Sequence, residues 1–461
     1  MRARLLAAVL LVTLVGCGGG YGSTLLATAE DGAPPPEYVV EVPDGYTVRS
    51  VDGPRRGPRL RPAPRAADAD GHHCPGADPL KTARRRHGSP GPTLTGSPPA
   101  PAMPETPDAR PFTPVAEVGE FGLIDKLKGT LADAADARDL VLGIGDDAAV
   151  YRVGAAGSDG PARVHVVTTD ALVEGVHFDR TYVPLRALGW KAIAVNVSDV
   201  AAMNARPRFA TVALGLPNNL SVEGAEALYA GIAQACERYG LAVVGGDVTA
   251  SARLMLSVTV VGEAREDEVV TRAGAQPGDL LCVTGDLGSA AAGLRVLLAG
   301  KEAMTAGDGA ADAPPQPDLT EFAYAVERQL QPQARLDRVE TWAEAGVRPT
   351  ALIDVSDGLA SEVHHLSQSG TVGAVVDGGL LPVHVQTALA AQRFDERPEA
   401  FVLYGGEDYE LLFTIPEAEA SKLASDTYAV VGQVVEPSEG VVLRLPDGNR
   451  VPLEAGGFRH A

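Results

Sequence analysis

Aromatic residues make up only 5% of this 461-residue chain, too few to build the ring platforms on which single-stranded nucleic acid stacks. Nucleic acid is therefore not an expected partner. The four cysteines, Cys17, Cys74, Cys236 and Cys282, lie far apart with no CxxC pair. That pattern offers neither a zinc site nor a disulfide framework, and each thiol is read as a small apolar side chain. There is no GxxxxGK run followed by Ser or Thr, so a P-loop is not supported. The apolar run Leu5–Val15 falls short of the roughly 20 residues that span a bilayer.

Cations are scarce where acids are abundant. Residues 1–115 carry 13 Lys+Arg and 11 Asp+Glu, against 26 and 49 in the rest, a net of −23 within a total of −21. Such a surface repels polyanions, so any phosphate ligand must be met by local cations, backbone N–H groups or bound metal. With 45% apolar residues and 52 glycines, the length predicts more than one packed core.

The N-terminus differs from the remainder. Residues 1–17 join Arg2 and Arg4 to the apolar run and end in Leu14-Val15-Gly16-Cys17, which resembles a bacterial lipoprotein signal with Cys17 as the lipidation site. Residues 31–114 hold 19 of the 35 prolines and Arg-rich patches such as Arg84-Arg85-Arg86, so residues 18–115 are expected to be disordered.

Beyond that point strands alternate with helices, predicting an α/β (α+β) architecture. Phe121, Ile124, Leu127 and Leu131 have helical spacing within Glu120–Leu140. Helices are expected over Leu185–Ala202, Val222–Tyr239 and Ser289–Ala299, and from Leu359 onward. Strands are expected at Val164–Asp170, Ala210–Leu216, Leu241–Asp247, Leu254–Glu263 and Leu280–Thr284. A boundary near Ala264–Asp279 divides a domain of residues 116–265 from one of 266–461, and residues 305–319 form a loop insertion.

The acids Asp146, Asp147, Asp170, Asp199, Asp247, Asp354, Asp357 and Glu407 lie at expected strand ends, most of them beside Gly, Ser or Thr. A single Gly-Asp pair is an ordinary turn former. Five such motifs, each after an apolar strand, point instead to a metal and phosphate site. Magnesium takes hard oxygen ligands and bridges carboxylates to phosphates, and phosphoryl transfer relies on positioning and charge neutralisation rather than covalent chemistry. Thr168, Thr169 and Ser356 would add hydroxyls, and Arg272 would offset nucleotide charge.

The motifs GIGDDAAV (Gly143–Val150), TTDALVEGVHF (Thr168–Phe178), NVSDVAAM (Asn196–Met203), GGD (Gly245–Asp247), DVSDGL (Asp354–Leu359) and GGEDYELLF (Gly405–Phe413) together resemble the thiamine-monophosphate kinase family. That family lies within the aminoimidazole ribonucleotide synthetase-like superfamily. The likeness covers about residues 118–461. It implies a two-domain fold whose N-terminal sheet forms a barrel across a homodimer, with a C-terminal mixed α/β domain. It also implies ATP as co-substrate, several Mg2+ ions and transfer of a phosphoryl group to thiamine monophosphate. Asp147, Thr168, Thr169, Asp170, Asp199, Asp247, Asp354 and Asp357 would bind magnesium. Tyr229, Gly246, Asp247, Arg272 and Ser356 would contact ATP, and His177, Glu407 and Phe458 the thiamine phosphate.

Three departures stand out: Asn204 replaces the usual Gly after Met203, Val248 replaces the usual Thr after Asp247, and residues 1–115 have no family counterpart. An ATP-using enzyme is expected in the cytoplasm, which favours reading the signal-like N-terminus as sequence upstream of a start at Met103. Two alternatives are another ATP-dependent enzyme of the superfamily and a lipid-anchored metal- or phosphate-binding protein. Hydrogenase-maturation relatives would carry a reactive terminal Cys, whereas this chain ends in Phe458-Arg459-His460-Ala461.

Overall fold

The computed structural model describes residues 11–16, 21–25, 46–48, 115–131, 139–153, 162–305 and 318–457. Cys17, Cys74, Met103 and Phe458 lie outside the described residues. The chain divides into two units, Met1–Pro104 and Glu105–Ala461.

In the first unit β1 (Leu11–Gly16) pairs antiparallel with both β2 (Tyr21–Leu25) and β3 (Tyr46–Val48). The last two fall in the stretch expected to lack regular structure. Tyr21, Thr24, Tyr46, Thr47 and Val48 supply the aromatic and β-branched residues that favour extended backbone.

The second unit opens with α1 (Val115–Leu131), which bends at Gly119 where φ is 67°. The helix expected over Glu120–Leu140 therefore starts earlier, and Leu140 already belongs to a strand, where it pairs with Tyr151. That strand, β4 (Leu140–Leu142), joins β5 (Ala149–Arg152), β6 (Arg163–Val173), β7 (Arg206–Leu216), β8 (Ala242–Ala250) and β9 (Met255–Arg265). Their order in the sheet is β4-β5-β6-β9-β7-β8. Only β7 and β8 run parallel, joined through α3 (Val222–Tyr239) as a parallel pair requires.

Alternation decides which face of this sheet is covered. Val164, Val166 and Leu172 of β6 and Leu256, Val258 and Val260 of β9 are buried with Ile193, Val197 and Val200 of α2 (Leu185–Ala202). The helices α2 and α3 meet at glycines: a Cβ on Gly189 would lie 2.0 Å from the Leu228 carbonyl oxygen, and one on Gly231 1.9 Å from that of Arg186.

The second sheet has the order β11-β13-β10-β14-β12-β15-β16, comprising β10 (Leu280–Val283), β11 (Ala351–Asp354), β12 (Gly373–Asp377), β13 (Leu411–Ile415), β14 (Ala429–Val435), β15 (Val441–Arg444) and β16 (Arg450–Pro452). Around it lie α4 (Ser289–Thr305), α5 (Ala323–Leu330), α6 (Leu336–Ala345), α7 (Leu359–Gly370), α8 (Val385–Phe394), α9 (Pro398–Tyr404) and α10 (Glu417–Ala420). Ala201 and Ala202 at the end of α2 enter this second core beside Cys282 and Leu352. One helix thus packs on both sheets, which explains why nearly its whole circumference is buried.

Two strands run past the acids expected at their ends. β6 continues past Asp170 to Val173 because it pairs with β9 over its whole length, and β8 continues past Asp247 to Ala250. Thr168, Thr169, Asp170 and Asp247 therefore sit within strands rather than at their ends. Among the described residues no helix is long and apolar enough to cross a membrane.

Candidate active site

Acids from three distant segments meet at α2. The first is the turn between β4 and β5, where Gly145 at φ 132° permits a backbone path closed to other residues and is followed by Asp146 and Asp147. The second is α2 itself, whose burial obliges its polar side chains to find partners. Asn196 Oδ1 accepts the Asp170 N–H at 3.1 Å. Ser198 Oγ donates to Asp354 Oδ2 at 2.6 Å, and Asp199 Oδ2 accepts from Thr168 Oγ1 at 2.6 Å. The third is the end of β11 and the turn into α7, carrying Asp354, Ser356 and Asp357.

One carboxylate oxygen from each of Asp147, Asp199 and Asp354 lies within 4.8 Å of the other two. Like charges so close and so buried resist joint ionisation. Burial, then the charge of Asp147, pushes Asp354 up to about 8. Burial, then Asp170 and Asp354, holds Asp199 well above the carboxylate range. Asp147 is raised by burial, and Asp146 goes to about 6 through burial and Asp147. Arg272 opposes this: its Nη2 donates to Asp147 Oδ1 at 2.5 Å and its N–H to Asp146 Oδ2 at 3.2 Å.

The other Asp147 oxygen, Oδ2, is buried with no hydrogen-bond partner among the described residues. An unpaired buried carboxylate oxygen is costly. Three converging acids with a spare oxygen fit a hard divalent cation that takes oxygen ligands.

A cleft of about 620 Å3 opens over this cluster. Its lining brings together Asp147, Thr168, Thr169, Asp170, Asp199, Arg272, Asp354, Ser356, Asp357, His177 and Glu407, all singled out from the sequence. His177 Nδ1 accepts the Val173 N–H at 3.0 Å, and Thr169 Oγ1 donates to the Val258 carbonyl at 3.1 Å.

Three other expected residues do not line the cleft. Asp247 pairs with Ala213, which pairs with Ser257, which pairs with Ala171; three strand spacings, about 14 Å, separate it from β6. Gly246 lies beside it on β8, where a Cβ would come within 2.0 Å of the Val212 carbonyl oxygen, so strand pairing alone demands glycine there. Tyr229 is on α3 and 39% exposed. Phe458 lies outside the described residues.

The cleft also holds residues that sequence reasoning missed. Glu362, in the first turn of α7, is buried and accepts the Asp357 N–H at 2.8 Å; burial raises its carboxyl well above the usual range. An acid there is ordinarily read as a favourable charge at a helix N-terminus. His365 is pushed down to about 4 by burial and Arg272, so it is neutral at pH 7. Tyr409 is buried with φ 53°.

Residues 145–264 match the family model described as AIR synthase related protein, N-terminal domain. The chain is 37% identical to the thiamine-monophosphate kinase of Aquifex aeolicus (strain VF5) over 343 residues, 74% of this chain and 98% of that protein. It is 32% identical to that of Bacillus subtilis (strain 168), over 69% and 93%. The solved structure of AaThiL complexed with AMPPCP and TMP superposes with a TM-score of 0.62 at 36% identity, covering 76% of this chain and 99% of that one. By fold, by the order of its motifs and by identity over nearly the whole length of such relatives, the chain belongs to the thiamine-monophosphate kinase family.

Proposed function

We propose that the chain transfers the γ-phosphoryl group of ATP directly to the phosphate of thiamine monophosphate, giving thiamine diphosphate and ADP. The observation that carries this reading is the partly buried triad Asp147, Asp199 and Asp354 with its unpaired Asp147 oxygen. The triad would hold magnesium, with Thr168, Thr169, Asp170 and Asp357 near it and Asp247 further along the sheet. Magnesium bound there supplies charge neutralisation and a fixed orientation for phosphate oxygens.

The chain's own residues account for the rest. An oxygen of the acceptor phosphate bonds to the γ-phosphorus while the bond to the β–γ bridging oxygen breaks and ADP leaves. The attacking oxygen belongs to a group largely ionised near pH 7, so no general base is required. Arg272, anchored on Asp147, adds positive charge beside the transferred group. Ser356, Gly246, Asp247 and Tyr229 are assigned to the nucleotide, and His177, Glu407 and Phe458 to the thiamine end.

A homodimer forms part of the same proposal. All nine residues of β8 are exposed although it carries Val243, Val244 and Val248, and an apolar sheet edge of this kind invites pairing. A second copy on β8 would cover the face that bears Asp247. The working compartment is the cytoplasm, where ATP is held.

The test is product analysis of the purified full chain with ATP and magnesium, comparing thiamine monophosphate with free thiamine. Thiamine diphosphate formed from the monophosphate alone supports the proposal. A folded, ATP-binding chain that forms none overturns it.

A further inference from the structure

We infer that Lys191, which lines no part of the cleft, is the positioning residue for Glu407, with Gln329 completing the clamp; this rests on the assignment of Glu407 to the organic part of the acceptor. Lys191 lies on α2 and is 4% exposed. A buried ammonium must be paired. Its Nζ lies 2.7 Å from Glu407 Oε1 and 3.1 Å from the Gln329 carbonyl oxygen. Gln329 Nε2 donates to Glu407 Oε2 at 2.6 Å.

Both carboxylate oxygens of Glu407 are thus engaged from the protein side, yet each keeps further acceptor capacity, and the side chain stays 27% exposed where it lines the cleft. The backbone is pinned as well. Glu407 has φ 59°, and its N–H donates to the Ser356 carbonyl at 2.6 Å. Left-handed backbone at a residue with a side chain is strained and persists where the surroundings impose it. The clamp leaves one orientation for the remaining lone pairs, suited to an amine-bearing or cationic heterocycle.

The helix adds a second consequence. Lys191 and Asp199 are eight residues apart on α2, about 12 Å along its axis. A single rigid element therefore sets both the acid cluster for the phosphates and the carboxylate for the organic end, and so fixes the length of acceptor that reaches both.

Steady-state kinetics of Lys191→Met, Gln329→Met, Glu407→Gln and the Lys191→Met/Glu407→Gln double variant test this, with folding checked by circular dichroism. Lys191→Met is expected to raise the acceptor KM about tenfold with the KM for ATP within about twofold, and the double variant to match Glu407→Gln. Unchanged acceptor KM in Glu407→Gln overturns the assignment of Glu407 and the inference with it. A raised KM in Glu407→Gln but not in Lys191→Met, effects that multiply in the double variant, or a parallel rise in both KM values overturns the positioning role alone. Should Lys191→Met fail to fold, Gln329→Met combined with Glu407→Gln decides in its place: non-additive effects support the clamp and multiplied effects overturn it.

Discussion

Ser198 on α2 donates its hydroxyl proton to Asp354 on β11 across 2.6 Å, linking positions 156 residues apart in the chain. A helix that packs on the first sheet thereby orients an acid carried by the second.

Replacing Ser198 by Ala leaves the buried Asp354 oxygen without that donor. The expected cost is about 1–3 kcal/mol of stability in chelator and a magnesium requirement raised about tenfold or more. Denaturant melts in EDTA and magnesium titration of turnover check both effects.

Asp199→Asn and Asp354→Asn should each lower turnover on the order of 10³-fold, the scale of a lost group that stabilises developing charge. Neutralising one of three clustered acids relieves repulsion, so neither variant should melt below the parent in EDTA. The rise in Tm that magnesium gives the parent should shrink in both. Full turnover in either variant would show that the triad is not the metal site.

Asp408 gives a pH dependence away from the acid cluster. It is buried, its oxygens accept the Gly288 N–H at 2.6 Å and the Ala290 N–H at 3.2 Å, and burial pushes its pKa up to about 7. A carboxyl raised on folding binds its proton more tightly in the native state. Its contribution is therefore greatest below the unfolded value near 4 and is lost as pH rises toward about 7. The stability of the parent relative to Asp408→Asn should fall over that range and level off above it, as measured by urea melts at several pH values.

Asn204 occupies left-handed backbone at φ 54°, and its Nδ2 donates to the Glu268 carbonyl at 2.9 Å. That explains how Asn stands where glycine is usual, since Asn enters this region more readily than other side chains. Asn204→Gly should change stability by less than about 0.5 kcal/mol, whereas Asn204→Val should cost about 1–2 kcal/mol. Chemical denaturation of the two variants distinguishes these outcomes.

Motif residues were legible in the sequence wherever a carboxylate followed an apolar run, and the cleft gathers most of them. Three kinds of feature were not. The reach of β6 and β8 depends on partner strands that local pattern does not reveal, so Asp170 and Asp247 looked like strand ends. Glu362 and Lys191 carry no motif of their own, and only packing against Asp357 and Glu407 gives them a part in the site. The distance of Asp247 from β6 follows from strand order, which a linear sequence leaves open.

The acid triad unites the β4–β5 turn, α2 and β11. Closing such long loops is slow and entropically costly. A nascent chain therefore cannot complete the proposed ion site until β11 has docked against α2. Immature forms would thereby lack the complete triad on which the proposed turnover depends.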